Sequence, residues 1–238
     1  MLKNSISLVV PIYNEEEIIE DTINLFNKML SNICTDFEII AVNDGSTDKT
    51  QYILNSLKKE YPKLKIFHNE KNTGSGASLW RGFQEASKEL IVSNFADRPF
   101  DISFLAEILE AVNLDIIDFI VIARKDRSAN TFYRKITSLS NYFLIKILFK
   151  ADISDFQFVQ IYKKEILEGI TIRSKETFVP PEIMIKLINK GHRYQEVSYP
   201  FHKRTSGKSK CGHPLKIIRS ISEILKFWFR WKILKKMD

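Results

Sequence analysis

Five short apolar runs recur through the first half of the chain: Ile6–Val10, Phe37–Val42, Leu64–Phe67, Leu90–Ser93 and Ile117–Ala123. Continuous β-branched and aliphatic runs of this length read as strands buried on both faces. The segments between them follow a different period. Ile19, Ile23, Phe26 and Leu30 predict a helix over 16–31, and Ile53, Leu54 and Leu57 mark a second, with Ser46 or Thr47 as its cap. Trp80, Phe83 and Ala86 mark a third, and Leu105, Ile108, Leu109 and Val112 a fourth. Strand and helix alternating in this way predict an α/β fold, a Rossmann-like, mainly parallel sheet with helices on both faces. After Arg124 the alternation loosens. Residues 131–150 mix Phe, Leu and Ile with Arg134, Lys135, Lys146 and Lys150. A short helix or strand near 158–168, a helix starting at Pro180-Pro181-Glu182, a strand over Tyr194–Tyr199 and a last helix from Pro214 complete the pattern.

Each polar cluster falls at the carboxyl end of a predicted strand. Tyr13, Asn14 and Glu15 follow the first, Asp44 and Gly45 the second, Gly74 and Gly76 the third, Asp97 the fourth and Arg124 the fifth. In an open parallel sheet those ends share one rim, and ligands bind there. The stretch 90–101 is the centre of this arrangement, because it passes from a buried strand into a loop holding Asp97, Arg98 and Asp101. Asp97 reads either as a ligand-holding carboxylate or as the cap of a helix beginning near Ser103. Gly74-Ser75-Gly76 reads either as a tight turn into a helix or as backbone that must approach a phosphate or sugar closely. Residue 79 is Leu, so the full dinucleotide glycine fingerprint is absent.

Composition narrows the class. The chain has 238 residues, 44% hydrophobic and 27% charged, and two cysteines too far apart in sequence to suggest a CxxC metal site. Its opening residues do not read as a signal peptide, and no run reaches the roughly 18 apolar residues of a membrane span. The charge of +7 is uneven: from Phe201 onward 11 Lys/Arg face 2 Asp/Glu, leaving the remainder at −2. An anionic partner is expected at that end. Ile217, Ile221, Ile224, Trp228 and Trp231 form one stripe of the last helix, widened by Ile218, Leu225 and Phe229 and surrounded by Lys and Arg. Such a helix either lies in a membrane interface or packs its stripe on the domain. Leu139–Phe149 has a similar character. A Trp-rich apolar stripe fits lipid better than a nucleic-acid backbone, so no nucleic-acid partner is expected. None of His68, His192, His202 and His213 is placed as a catalytic base.

The motifs Val-Val-Pro-Ile-Tyr-Asn-Glu-Glu (9–16), Val-Asn-Asp-Gly-Ser-Thr-Asp (42–48) and Asn-Thr-Gly-Ser-Gly-Ala (72–77) resemble those of family-2 glycosyltransferases with the GT-A fold. Asp155-Phe-Gln and Arg204-Thr-Ser-Gly-Lys-Ser-Lys210 resemble later motifs of its polyprenyl-phosphate branch, the dolichol-phosphate mannose synthase group. The resemblance implies a GT-A domain over 1–213, with a nucleotide half near 1–124 and an acceptor half near 125–213, followed by a basic amphipathic helix over 214–238. It implies an inverting enzyme at the cytoplasmic membrane face, moving a sugar from a nucleotide donor to a polyprenyl phosphate; transfer to a sugar hydroxyl and a nucleotide-binding relative without turnover are the alternatives. It places Pro11, Tyr13, Glu15, Asp44, Gly45 and Gly74 around the nucleotide sugar. Asp97 would sit beside a Mg²⁺ or Mn²⁺ ion, and Arg124, Arg134, Arg204 and Lys210 at phosphates. Asp155 is the carboxylate offered as a base, or alternatively a salt-bridge partner ordering the site's floor. Where the family carries Asp-x-Asp, this chain has Phe95 at the first position, and a phenyl ring cannot ligate a metal.

Overall fold

The structure, a computed structural model, describes residues 1–125, 142–201 and 214–235. Strands β1 (Ile6–Ile12), β2 (Phe37–Asn43), β3 (Leu64–His68), β4 (Leu90–Ser93) and β5 (Phe119–Arg124) alternate with helices α1 (Ile19–Ile33), α2 (Thr50–Glu60), α3 (Ser75–Gln84) and α4 (Leu105–Ala111). A helix over 142–149 (α5) follows. Then come β6 (Val159–Lys163), α6 (Lys164–Leu167), α7 (Val179–Asn189), β7 (Tyr194–Tyr199) and α8 (Pro214–Lys232). The seven strands form one sheet in the order β3-β2-β1-β4-β6-β5-β7.

β6 is the antiparallel member of the mainly parallel sheet expected from the sequence. It lies between β4 and β5 and runs antiparallel to both, with Leu90 opposite Lys163 and Ile122 opposite Val159. It therefore starts at the rim where β4 and β5 end. That places residues 150–158 above the sheet and brings Asp155 beside Arg124. β7 is parallel to β5 and ends at the same rim, Tyr199 facing Arg124.

The apolar runs divide between two layers because successive strand residues face opposite sides. Ile6, Leu8 and Val10 join Phe26, Leu54 and Ile108 on one face. Val9, Ile40 and Val42 join Phe83, Phe178, Ile183 and Phe227 on the other. β1 continues through Pro11, where the sequence suggested an end. Its pairing with β4 stops at Val9 opposite Ser93, while its pairing with β2 continues to Ile12. Val9 O accepts a hydrogen bond from Asn94 N on the β4 side and Ile12 O accepts from Asp44 N on the β2 side, so Pro11 faces the side on which no partner strand remains. A residue with no N–H is tolerated there.

At the opposite end of the sheet Glu38, almost fully buried, accepts hydrogen bonds from Ser7 Oγ (2.6 Å), Ser87 N (2.7 Å) and Ser87 Oγ (2.9 Å) and pairs with Lys65 at 2.5 Å. Burial raises its carboxyl pKa. The Lys65, Ser7 and Ser87 contacts outweigh burial and hold it below its usual 4.5. A depressed carboxyl stabilises the fold above the unfolded value, and that contribution disappears as pH falls through the folded value. Glu38→Gln is expected to cost about 2 kcal/mol at neutral pH. In denaturant titrations the gap to the parent should close below pH 4.5.

α8 is amphipathic on two sides. Ile224 and Phe227 are buried in the second layer, and Trp231 stacks on Phe149 at 5.4 Å between ring centres. Ile218, Leu225 and Phe229 are exposed, at 62%, 47% and 49%. The stripe containing Ile224 and Trp231 thus meets the domain, and the residues that widened it face outward. The domain-packing reading holds for the inner stripe because Phe149 and Phe178 offer an aromatic bed for it. Among the described residues no helix is long and apolar enough to cross a membrane.

Candidate functional site

The loops after β1 and β2 are knitted together. Asn14, in the left-handed region with φ 52, donates its N–H to Ser46 Oγ at 2.9 Å, and Thr47 N donates to Asn14 Oδ1 at 2.7 Å. Asn tolerates that backbone conformation better than most residues. Glu15 N donates to Thr50 Oγ1 at 2.9 Å. Just before α2, Asp48 closes a turn: Oδ1 accepts from Thr50 N at 3.0 Å, and Oδ2 from Glu16 N at 3.2 Å, while the N-cap residue, Lys49, makes no side-chain capping bond. Ser46 and Thr47 are spent on Asn14, so neither caps α2 as expected. Burial raises the Asp48 carboxyl pKa, but the Thr50 and Glu16 hydrogen bonds win and lower it. Pro11, buried, and Tyr13 and Glu15, half-buried, stand at the edge of this layer.

Asp44 is 2% exposed. Its Oδ1 accepts from Asn69 Nδ2 (2.9 Å), Thr73 N (2.8 Å) and Thr73 Oγ1 (2.8 Å), and its Oδ2 from Gly74 N (3.0 Å). The resemblance places this residue around the nucleotide sugar. The structure shows a carboxylate that ties the end of β2 to the loop 69–74. Gly45, at φ +66, is required because a Cβ would stand 2.5 Å from the Lys71 carbonyl carbon.

The glycine pair also has a close neighbour within the chain. A Cβ on Gly74 would lie 2.6 Å from Lys175 O, and one on Gly76 2.0 Å from Glu176 O. Ala77 N, in the first turn of α3, donates to Lys175 O at 2.9 Å. The glycines therefore admit the backbone of 175–176. That packing is non-local, which is why spacing alone left a turn and a phosphate approach as equals.

After β4 the chain turns on Asn94, which is fully buried. Its Nδ2 donates to Phe100 O and its Oδ1 accepts from Phe95 N, both at 2.9 Å. Arg98 N returns to Phe95 O at 3.0 Å, and Thr22 Oγ1 donates to Ala96 O at 2.8 Å. Asp97 stands half-buried in this braced turn. Asp101 takes the capping role weighed for Asp97, accepting from Ser103 N at 2.9 Å. Among the described residues no group of three His, Cys, Asp or Glu side chains could hold a metal. Asp97 offers one carboxylate and Phe95 none, so a divalent ion here would take its other ligands from donor phosphates and water, as Mg²⁺ commonly does.

Arg124 and Asp155 form a bidentate ion pair, Nε to Oδ2 at 2.6 Å and Nη2 to Oδ1 at 3.0 Å. Asp155 is 2% exposed and also accepts from Gln157 N at 3.2 Å. The guanidinium lies near the Phe158 and Phe201 rings, 5.7 and 5.9 Å from their centres. Of the two roles weighed for Asp155, the geometry presents the salt bridge. Arg124, placed at phosphates by resemblance, has its guanidinium committed to that carboxylate. Arg134, Arg204 and Lys210 lie outside the described residues, as do His202 and His213.

His68 ends β3 half-buried, its Nδ1 3.1 Å from Asn43 Nδ2; burial and the nearby Arg81 charge lower its pKa. Asn69, Asn94 and Thr22 brace the site although no motif in the sequence marks them. Their one signal is position, a short polar side chain at a strand end or facing a loop.

Residues 7–171 match the family described as Glycosyl transferase family 2. The chain is 27% identical over 215 residues to a dolichol-phosphate mannosyltransferase of Pyrococcus furiosus, covering 86% of this chain and 58% of that one. It is 28% identical over 237 residues to a dodecaprenyl-phosphate galacturonate synthase of Rhizobium johnstonii, covering 95% and 68%. The chain thus spans little more than half of the first relative and about two thirds of the second. Among solved structures, it resembles the glucosyl-3-phosphoglycerate synthase of Mycobacterium tuberculosis in complex with Mn²⁺, UDP and glucosyl-3-phosphoglycerate. The TM-score is 0.69 at 16% identity, over 94% of this chain and 80% of that one. That likeness is one of fold, the GT-A fold expected from the sequence. With a match over most of its length, the chain belongs to glycosyl transferase family 2.

Proposed function

We propose that the protein transfers a sugar, with inversion, from a nucleoside-diphosphate sugar to a polyprenyl phosphate. Relatives named for polyprenyl-phosphate chemistry align over 86% and 95% of the chain and support this choice of acceptor. The observation that carries it is the Arg124–Asp155 pair. The carboxylate that the sequence offers as a base is held at both oxygens by a guanidinium. A sugar hydroxyl needs a base to take its proton, whereas a lipid phosphate arrives already ionised. In the proposed step a phosphate oxygen of the acceptor bonds to the anomeric carbon. The bond from that carbon to the donor's β-phosphate oxygen breaks, and the nucleoside diphosphate leaves with the electron pair.

The loops carrying Pro11, Tyr13, Glu15, Asp44, Gly45 and Gly74 form the donor layer in this reading, within a nucleotide half near 1–124. The remainder to 213 supplies the acceptor side. Asp97 would hold Mg²⁺ or Mn²⁺ with the donor diphosphate; the ion would offset charge developing on the leaving group. Arg134, Arg204 and Lys210 would supply further cations at phosphates of donor or acceptor. Phe95 favours one second reading, a relative that binds nucleotide without turnover. Calorimetric titration of UDP- and GDP-sugars, with and without Mg²⁺ or Mn²⁺, followed by a search for glycosyl transfer, separates the two. Donor binding with no transfer under any condition would favour the second.

A polyprenyl-phosphate acceptor would hold the protein peripherally on a membrane, in this reading at its cytoplasmic face. The outward stripe Ile218, Leu225 and Phe229, beside Arg219, Lys226 and Arg230, suits an anionic lipid surface, and exposed Phe143 and Ile147 of α5 add apolar area. The protein is expected to float with anionic liposomes at low salt. Replacing Ile218, Leu225 and Phe229 by Ser should leave it at the bottom of the gradient; equal flotation of the two proteins would show that the outward stripe does not hold the lipid surface.

A further inference from the structure

We infer that Glu223 of α8 is a positioning residue for the donor layer, acting through the backbone of Lys175 and Glu176. The inference rests on the proposed reading of that layer as the nucleotide-sugar site.

The Glu223 carboxylate accepts from Lys175 N at 2.9 Å through Oε1, and from Glu176 N at 3.4 and 3.2 Å through Oε1 and Oε2. The other side of the same two residues meets the donor layer. Lys175 O accepts from Ala77 N at 2.9 Å, and the backbone oxygens of 175 and 176 fill the space where side chains on Gly74 and Gly76 would stand. Gly74 N in turn donates to Asp44 Oδ2. A continuous series of hydrogen bonds and close backbone contacts therefore runs from α8 to the buried carboxylate at the end of β2. Thr177 Oγ1 and Ser220 Oγ, 2.7 Å apart, form a second tie between the same segments, and Arg219 reaches Glu176 at 3.6 Å.

The surroundings show that the acid is held there against its own electrostatics. Burial raises the Glu223 carboxyl pKa, the Lys175 and Glu176 N–H groups oppose that, and the Glu176 and Glu182 charges raise it further. Packing alone would be served by a neutral side chain. A carboxylate has the acceptor capacity to hold both successive N–H groups. Had 175–176 drifted outward, Gly74 and Gly76 would lose the surface that fixes them, and Asp44 one of its donors. The same helix turns Ile218, Leu225 and Phe229 outward, so the face proposed for lipid and the support of the donor layer belong to one rigid element.

The test uses the full chain with UDP and GDP as probes, in Mg²⁺, by calorimetry. Glu223→Ala is expected to weaken nucleotide binding about tenfold, a loss comparable to one charge-assisted hydrogen bond. Glu223→Gln keeps one carbonyl acceptor and should fall between the two. Phe227→Leu, which loosens α8 on its aromatic bed without touching 175–176, is the control for stability and should lower Tm while leaving nucleotide affinity within about twofold. If Glu223→Ala fails to fold, Glu223→Gln decides alone. Parent-like affinity in the Glu223 variants, or an equal loss in Phe227→Leu, would overturn the inference. A parent protein that binds neither nucleotide would overturn the donor reading, and the inference with it.

Discussion

Replacing Asp44 with Ala is expected to abolish measurable nucleotide binding and to cost about 3–5 kcal/mol of folding stability. Four hydrogen bonds converge on this carboxylate, from the Asn69 and Thr73 side chains and from two successive backbone N–H groups, Thr73 and Gly74. Removing the acceptor leaves buried donors unpaired, which costs more than the net value of each bond. Asn is not a conservative choice here. It has one acceptor oxygen, and its amide would turn N–H groups toward groups that themselves donate. Asp44→Asn should therefore lie close to Asp44→Ala in urea denaturation. Its Tm loss should exceed that of Asn69→Ala, because Asn69 supplies one of the four bonds. A parent-like affinity for UDP and GDP in Asp44→Ala would show that the loop 69–74 plays no part in holding the donor.

Arg124→Met is expected to destabilise the protein by about 3–5 kcal/mol, the usual cost of leaving a buried charge without its partner. Asp155 is 2% exposed, and both its oxygens face the guanidinium. The double variant Arg124→Met/Asp155→Leu removes both charges and should recover more than half of that loss, giving a strongly coupled double-mutant cycle. The pair joins the end of β5 to the segment entering β6, so its loss should also open the rim. Denaturant midpoints of the four proteins check this. Additive losses would mean that the two charges do not depend on each other.

The strands were legible because burial on both faces writes itself as uninterrupted apolar runs, and β7 and the start of α8 were read at the residues the structure shows. The place of β6 was not legible. Val159–Lys163 carries no mark of direction, and antiparallel insertion between β4 and β5 is decided by where the chain returns to the sheet. The rim was legible from the polar residues after each strand. The partners of those residues were not, since Asp44 with Gly74, Arg124 with Asp155 and Glu223 with Lys175 are pairs made across 30 or more positions of sequence. Gly76 is the clearest case: its signal was present, but the backbone it admits comes from residue 176.

The proposed function turns on the identity of the acceptor. The most direct measurement incubates the protein with UDP- and GDP-sugars, Mg²⁺ or Mn²⁺ and a short-chain polyprenyl phosphate, and follows lipid product and released nucleoside diphosphate together. The expected product is a glycosyl polyprenyl phosphate of inverted anomeric configuration, formed one for one with nucleoside diphosphate. Transfer to a sugar hydroxyl with none to the lipid phosphate would contradict the proposed function.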